Sequence, residues 1–403
     1  MNLFVKERKI ISKEPFLFLT LPFALVFMIF IIIVRPFILI RFGLVHTDRI
    51  GHFATNTELS LCEKKKNNLN SLDLFYFPTK PCNDYLGKII KNKIIVLPKI
   101  LIRPFCLIVR KFKKLNKHVA GQPLRGDYDI CNLFDKFSNQ LDIDKKDILK
   151  GDKFINKINP QKKPITLLIV RDSSYLKRVT NDNSYNYHSH RDDDIHRYKK
   201  LILFLIKRGF YVIRMGKIAK KPLNIRNKNF YDYPFSKEKS DFLDIYLAYK
   251  SKICISNLTG YDAIPTIFRK NIIFIDPIPF GYMSTHSKRF FSNLTKHYSL
   301  KKKRFLTTKE IFDLEIDHIF EKNDFKKEKI ILKKSSPFEI VKICEDALNY
   351  FYDKKYSDKL SNKFSKIYKN SLLNTNSESK NFHGKIKSKF SNFWFKKYKF
   401  FII

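Results

Sequence analysis

The chain has 403 residues and a formal net charge of +41, from 79 Lys and Arg against 38 Asp and Glu. That length suits two ordinary domains, and a hydrophobic content of 44% excludes general disorder. Eleven Gly and sixteen Pro exclude collagen-like and linker-like chains.

The charge does not point to nucleic acid. Lys far exceeds Arg, and Lys, Asn, Ile and Phe are raised along the whole chain, as expected of AT-rich coding. No arginine-rich arm, zinc-knuckle spacing or aromatic-basic segment stands out. A nucleic-acid partner is therefore not expected, whereas an anionic lipid surface suits the charge. Cys62, Cys82, Cys106, Cys131, Cys254 and Cys344 show no CxxC or Cys/His ligand spacing and read as reduced thiols.

In chain order, Pro15 to Val34 is a twenty-residue run without a charge, about the length that crosses a bilayer core. Basic residues flank both ends (Lys6, Arg8, Lys9 and Lys13 before, Arg35 and Arg41 after), so charge bias sets no orientation. Pro15 and Pro22 leave an in-plane or re-entrant anchor open beside a span. Strands are expected at Phe37–Phe42, Leu72–Phe77 and Lys93–Leu97, with a helix over Ala54–Lys65. Ile100–Leu115 reads as an amphipathic, membrane-grazing helix. Residues 138–164 are polar, and the domain boundary is placed near Asn159-Pro160.

After it the alternation resumes. Strands are expected at Ile165–Val170, Phe210–Arg214, Ile253–Ser256 and Ile272–Ile275. Helices are expected at Ile195–Arg208, at Ser240–Lys250 and from about Thr259. Ser336-Pro-Phe-Glu339 carries the N-cap, first-turn Pro and capping-box signals of a further helix. The expected fold is α/β, with two Rossmann-like domains facing a cleft. The boundaries are 1–36 for the hydrophobic membrane segment, 37–160 and 161–355 for the two domains, and 356–403 for a basic tail. That tail is either partly flexible or a helix returning to the first domain.

Four segments carry candidate chemistry. The loop from Arg41 to Glu58 joins a strand to a helix start, where ligands gather in open α/β folds. Asp48, Arg49, His52, Asn56 and Glu58 are its polar set, and a capped helix with solvated charges is the plain alternative. Arg171 stands at a strand tip, suited to phosphate or to a simple Arg–Asp closure. Asn257 to Pro265 follows a strand, with Thr259 and Asp262 at capping-box spacing and Gly260 allowing close backbone approach. Tyr187 to Ile195 holds His188-x-His190 and Asp192-x-Asp194. This loop opens a helix, where Asp suits the dipole, and no metal site is expected there.

The runs RFG…DRIGHFATNTELSLCE, VRDSSYL, RGFYVIRMGK, SDFLDIYLAYKSK and TGYDAIP, with the Tyr187–Ile195 loop, resemble a bacterial family of glycosyltransferases associated with surface-glycan genes. The resemblance covers about residues 37 to 285. More distantly, the chain is similar to lipopolysaccharide heptosyltransferases and O-fucosyltransferase-like enzymes. His52 stands where the former have Asp, and Thr259 where Ser is expected.

The resemblance implies a GT-B-like enzyme, with an acceptor domain first and a nucleotide-sugar domain second. It implies sugar transfer to a hydroxyl of a lipid-linked or surface glycan at the cytoplasmic face of the inner membrane. The reaction is expected to be inverting, with no metal and no cofactor beyond the nucleotide-sugar substrate. On this reading His52 is the general base, with Asp48 and Glu58 as competing candidates. Arg171, Arg214, Thr259 and Gly260 hold the donor phosphates, and Asp262 orients hydroxyls. Arg49 and Asn56 shape the acceptor side. A two-domain epimerase or phosphate-ester enzyme on the same scaffold, or a non-catalytic glycan-binding protein, are the alternatives.

Overall fold

A computed structural model describes residues 14–121, 126–172, 174, 189–353 and 356–403. Lys6, Arg8, Lys9, Lys13, Tyr187 and His188, named above, lie outside the described residues. The chain has two compact units, Met1–Asp127 with Gln140–Asp142, and Tyr128–Asn139 with Ile143–Ile403. Both are α/β.

In the first unit the uncharged run forms α1 (Phe16–Val34), apolar all round and carrying Pro22 inside. Then come β1 (Leu39–Leu44), α2 (Ile50–Lys66), β2 (Ser71–Tyr76), α3 (Asp84–Lys91), β3 (Ile95–Val96) and α4 (Lys99–Lys111). The strands form a parallel sheet in the order β1-β2-β3. Met28 and Ile31 of α1 are buried with Phe42 and Tyr76 of the sheet and Ile102 and Val109 of α4. Arg41 and Asp73, facing each other across β1 and β2, form a paired bond at 2.6–2.7 Å, and Lys64 closes on the same carboxylate at 3.0 Å. These cations, with a hydrogen bond from Ser71, outweigh burial and hold the Asp73 carboxyl below its ordinary range. Gly43 passes so close to the Ala120 carbonyl that a Cβ would stand 2.5 Å from it. A side chain there would push the strand end away from its neighbour.

The second unit begins with α5 (Lys145–Ile158) and continues through β4 (Ile165–Ile169), α6 (Lys199–Lys207), β5 (Tyr211–Met215), β6 (Phe230–Asp232), α7 (Asp241–Lys250), β7 (Ile253–Ser256), α8 (Ala263–Ile267), β8 (Asn271–Phe274) and β9 (Phe290–Ser292). A small antiparallel sheet of β10 (Lys296–Ser299), β11 (Arg304–Phe305) and β12 (Ile330–Lys333) follows. Then come α9 (Pro337–Leu348), α10 (Lys359–Asn374), β13 (Lys389–Phe390) and α11 (Asn392–Lys397). The main sheet has seven parallel strands in the order β13-β9-β8-β7-β4-β5-β6. The chain steps from β4 outward to β5 and β6, then returns to place β7 on the other flank of β4. Strand order therefore reverses beside β4, the position where open α/β sheets bind ligands at their carboxyl ends.

Residues 145–158, expected as a polar boundary, are a helix of the second unit. Tyr246 of α7 donates to Asp152 at 2.8 Å, and only Gly151 and Ile155 of α5 are buried, so its apolar stripe is too thin to read from periodicity. The basic terminal segment packs into the second unit. Phe364, Tyr368, Phe390, Trp394, Phe395 and Phe401 enter the main core of the second unit, and β13 extends its sheet. The Ser336 capping box forms as expected, with the Glu339 carboxylate accepting from the Ser336 amide at 2.7 Å.

Trp394 is fully buried, and Lys296 lies over its ring at 5.0 Å. Trp394→Ala is expected to cost about 3–5 kcal/mol, measured by urea unfolding of the full chain. A loss below about 1 kcal/mol would mean that the tail is an accessory layer.

Candidate functional site

The second unit gathers three loops at the carboxyl ends of β4 and β7. Arg171 leaves β4, Asn257 leaves β7, and Arg191 arrives in the segment before α6. Asn257, 5% exposed, joins them. Its Oδ1 accepts from the Arg171 amide at 2.9 Å, and its Nδ2 donates to the Arg191 carbonyl at 3.2 Å. Arg191 Nη2 then donates to the Leu258 carbonyl at 2.9 Å. Leu258 has φ +65°, a left-handed conformation that a non-glycine residue holds only when its surroundings impose it.

Two guanidiniums are thereby brought together. Burial, and after it the positive charge of Arg171, push Arg191 down to about 10. Arg191 Nε is buried with no partner among the described residues. Arg171 Nε meets Asp192 at 3.1 Å. Asp193 is tied to Arg197, accepts from Tyr198 at 3.0 Å and lies 3.6 Å from Lys334. Asp194 caps the turn at His196, at 3.0 Å. The acidic triplet is thus engaged by cations and backbone. No group of three or more metal-binding side chains occurs among the described residues.

After β7 the chain makes a short 3₁₀ turn, Gly260–Asp262, before the five-residue α8. The capping box expected from spacing is present. Asp262 Oδ2 accepts from the Thr259 amide at 2.6 Å, and Thr259 Oγ1 donates to Oδ1 at 3.1 Å. The Thr259 amide is therefore taken up inside the turn. Burial, only partly offset by these hydrogen bonds and by Arg191, pushes Asp262 up to about 6. Arg214, expected at the same site, is 4% exposed within β5 and donates to the Lys221 carbonyl at 2.8 Å and to Asp232 at 3.3 Å. The structure does not bring Arg214 into the Arg171–Arg191 cluster. Arg191 was not singled out from the sequence, because it sits in a polar run that offered three carboxylates and two histidines as louder signals.

In the first unit the loop after β1 carries His46, Asp48 and Arg49 to the start of α2. Asp48 and Arg49 are exposed and 3.8 Å apart. His52 Nδ1 lies 3.6 Å from Asp127 Oδ2, with its side chain 40% exposed. The ring of His46 is 6.1 Å from that of His52. Burial first, and the His52 charge second, hold His46 below the usual imidazole range. Neither His46 nor Asp127 was chosen from the sequence.

Glu58 is fully buried, and its carboxylate accepts from the Gln140 and Leu141 amides, both at 2.9 Å. That geometry makes it a structural clasp. Asn56 is 9% exposed and lines a cavity of about 190 Å³ with His46, Thr57, Ser60 and Phe75. Asn56 Oδ1 and Ser60 Oγ have no partner among the described residues.

No family model and no curated protein matches the chain. Two solved structures are similar to it in chain path. An ADP-heptose lipopolysaccharide heptosyltransferase II from E. coli matches with TM-score 0.36 and 9% identity, over 58% of this chain and 84% of that one. A family 9 glycosyl transferase from Veillonella parvula matches with TM-score 0.43 and 10% identity, over 77% of this chain and 97% of that one.

The Arg171–Arg191 cluster gives a pH prediction. Asp262 binds its proton more tightly folded than unfolded, so protonation occurs as pH falls through about 6 and removes a negative charge beside Arg191. Sulfate, whose own charge is constant in this range, is expected to bind roughly three- to tenfold more tightly at about pH 5 than at pH 7.5. The dependence flattens in Asp262→Asn. Thermal-shift titration at each pH measures it, and a slope that survives in Asp262→Asn would assign it to another group.

Proposed function

We propose that the chain is a membrane-associated, inverting glycosyltransferase that moves a sugar from a nucleotide-sugar donor to a hydroxyl of a lipid-linked or surface glycan. The observation that carries this reading is the pair of guanidiniums, Arg171 and Arg191, at the strand-order reversal of a seven-stranded parallel sheet. A diphosphate leaving group gains negative charge as the glycosidic bond breaks. Two convergent guanidiniums stabilise that charge without metal. The mutual repulsion of the two cations is relieved when an anion enters, which favours occupancy by the departing diphosphate. Asp262, ionised above pH 6, takes hydrogen bonds from ribose or sugar hydroxyls.

His52 is the base in this reading. Its imidazole takes the acceptor proton while the acceptor oxygen attacks the anomeric carbon from the side opposite the diphosphate. Asp127 Oδ2 lies 3.6 Å from the Nδ1 side of the ring. Glu58, committed to two amides, is assigned to the frame, and exposed Asp48 to the acceptor side with Arg49 and Asn56. The apolar α1 holds the enzyme at the cytoplasmic face of the inner membrane.

Arg171→Ala and Arg191→Ala are each expected to weaken nucleotide-sugar binding by about 1.5–3 kcal/mol, while Arg214→Ala lowers the melting temperature instead. Titration against UDP-, GDP-, CMP- and dTDP-sugars reads this, and unchanged affinity in both site variants would remove the donor assignment.

His52→Ala is expected to lower kcat by roughly 10²–10⁴ with donor affinity intact. Glu58→Gln is expected to act through stability. Rates of both, with Asp48→Asn, measured at saturating donor with and without EDTA, decide the base. A collapse of Asp48→Asn alone would move the role to that carboxylate, and loss with EDTA would overturn the metal-free mechanism.

A further inference from the structure

We propose, resting on the membrane association above, that α1 lies in the plane of one leaflet as a monotopic anchor and does not cross the bilayer. With 19 residues and no charge, the helix is long and apolar enough to span a membrane. Its surroundings forbid the crossing. Leu17, Ala24, Met28 and Ile31 are buried along one stripe. The last three share a cluster with Phe42 of β1, Tyr76 of β2 and Ile102, Cys106 and Val109 of α4. From Leu17 to Ile31 the stripe is about 21 Å long at 1.5 Å per residue, most of the thickness of a hydrocarbon core. A crossing helix would carry that contact surface into the hydrocarbon. With it would go a three-stranded sheet whose outer strand β3 is only two residues long, and the Arg41–Asp73–Lys64 ion pairs. Sheet edges and charged networks facing lipid at that depth are not tolerated.

The near end makes the same point. Glu14, just before α1, meets Lys99 at 2.5 Å and Arg103 at 3.1 Å on α4, and Arg103 also donates to the Tyr76 hydroxyl at 3.1 Å. The N-terminal end of the helix is fastened to the body by ion pairs. Its stripe is fastened by packing. The helix is therefore one wall of the first unit, and among the described residues its opposite face is left for lipid.

That opposite face is continuous and apolar, with Phe18, Phe23, Phe27 and Phe30 each at least 59% exposed. It is prolonged by Phe37 at 91% and by Leu101 of α4 at 55%. The occupant that fits is the acyl region of an anionic leaflet. Exposed Arg35 follows α1, Lys111 ends α4, and exposed Lys113 and Lys114 follow it, where headgroup phosphates would meet them. An in-plane helix half-sunk in one leaflet buries this face and keeps the sheet in water.

The test is made with the full chain, carrying an N-terminal tag with a protease site, added to sealed phosphatidylglycerol–phosphatidylcholine vesicles. The expected result is flotation with the vesicles and removal of the tag by external protease as fast as in detergent. Phe23→Glu with Phe30→Glu is expected to lower vesicle affinity by roughly tenfold or more with an unchanged melting temperature. Flotation with a tag protected until detergent is added means that the helix crosses; it overturns the in-plane anchor and leaves the membrane reading standing. Failure to float, with sedimentation as a dimer, means that the apolar face is covered by a second copy; it overturns the membrane reading itself.

Discussion

The reversal of strand order beside β4 is the constraint on which the candidate donor site depends. Parallel strands all end on one edge, and a reversal leaves two neighbouring carboxyl ends whose loops run apart, opening a crevice. Here Asn257 spans that crevice. It takes the Arg171 amide and gives to the Arg191 carbonyl, so the loops after β4 and β7 and the segment before α6 are set by one side chain. The left-handed Leu258 follows directly and turns its carbonyl to Arg191. Local strain and like-charge proximity are thereby concentrated at one spot, as functional sites often require.

Much of this frame was legible in the sequence. Ile253–Ser256 is the expected strand to the residue, and Ile165–Ile169 and Tyr211–Met215 differ from expectation by one position. These strands are covered on both faces, and continuous apolar runs between turn residues have few other readings. Boundaries drifted where two signals competed. The helix expected over Ala54–Lys65 begins at Ile50, because Arg49 takes an extended N-cap conformation without supplying a side-chain cap. α5 was hidden by its charge, and the tail by its Lys, Ser and Asn, although its aromatic residues are what the core uses.

Site residues were less legible than strands, for a reason in the residues themselves. A guanidinium or carboxylate has the same spelling whether it faces a ligand or closes a frame. Arg214 and Glu58 close the frame, Arg214 against Asp232 and the Lys221 carbonyl, Glu58 against two amides. Arg191 and His46, passed over in the sequence, stand beside Arg171 and His52, and burial followed by the charge of that neighbour lowers the pKa of each. Asn257 lay inside a quoted motif without a role, since nothing in its one-letter context reveals that it reaches across three loops.

The last residues of the chain have a bearing on how the protein is made. β13 pairs with β9, and Trp394, Phe395 and Phe401 fill the core beneath the main sheet. A core that waits for the final stretch cannot close while that stretch is still being synthesised, and domains fold as units. The apolar α1 is synthesised well before the aromatics that close this core. The chain therefore exposes an apolar helix before that core can close, and a stop codon ahead of β13 would leave β9 as an open sheet edge beside an exposed core.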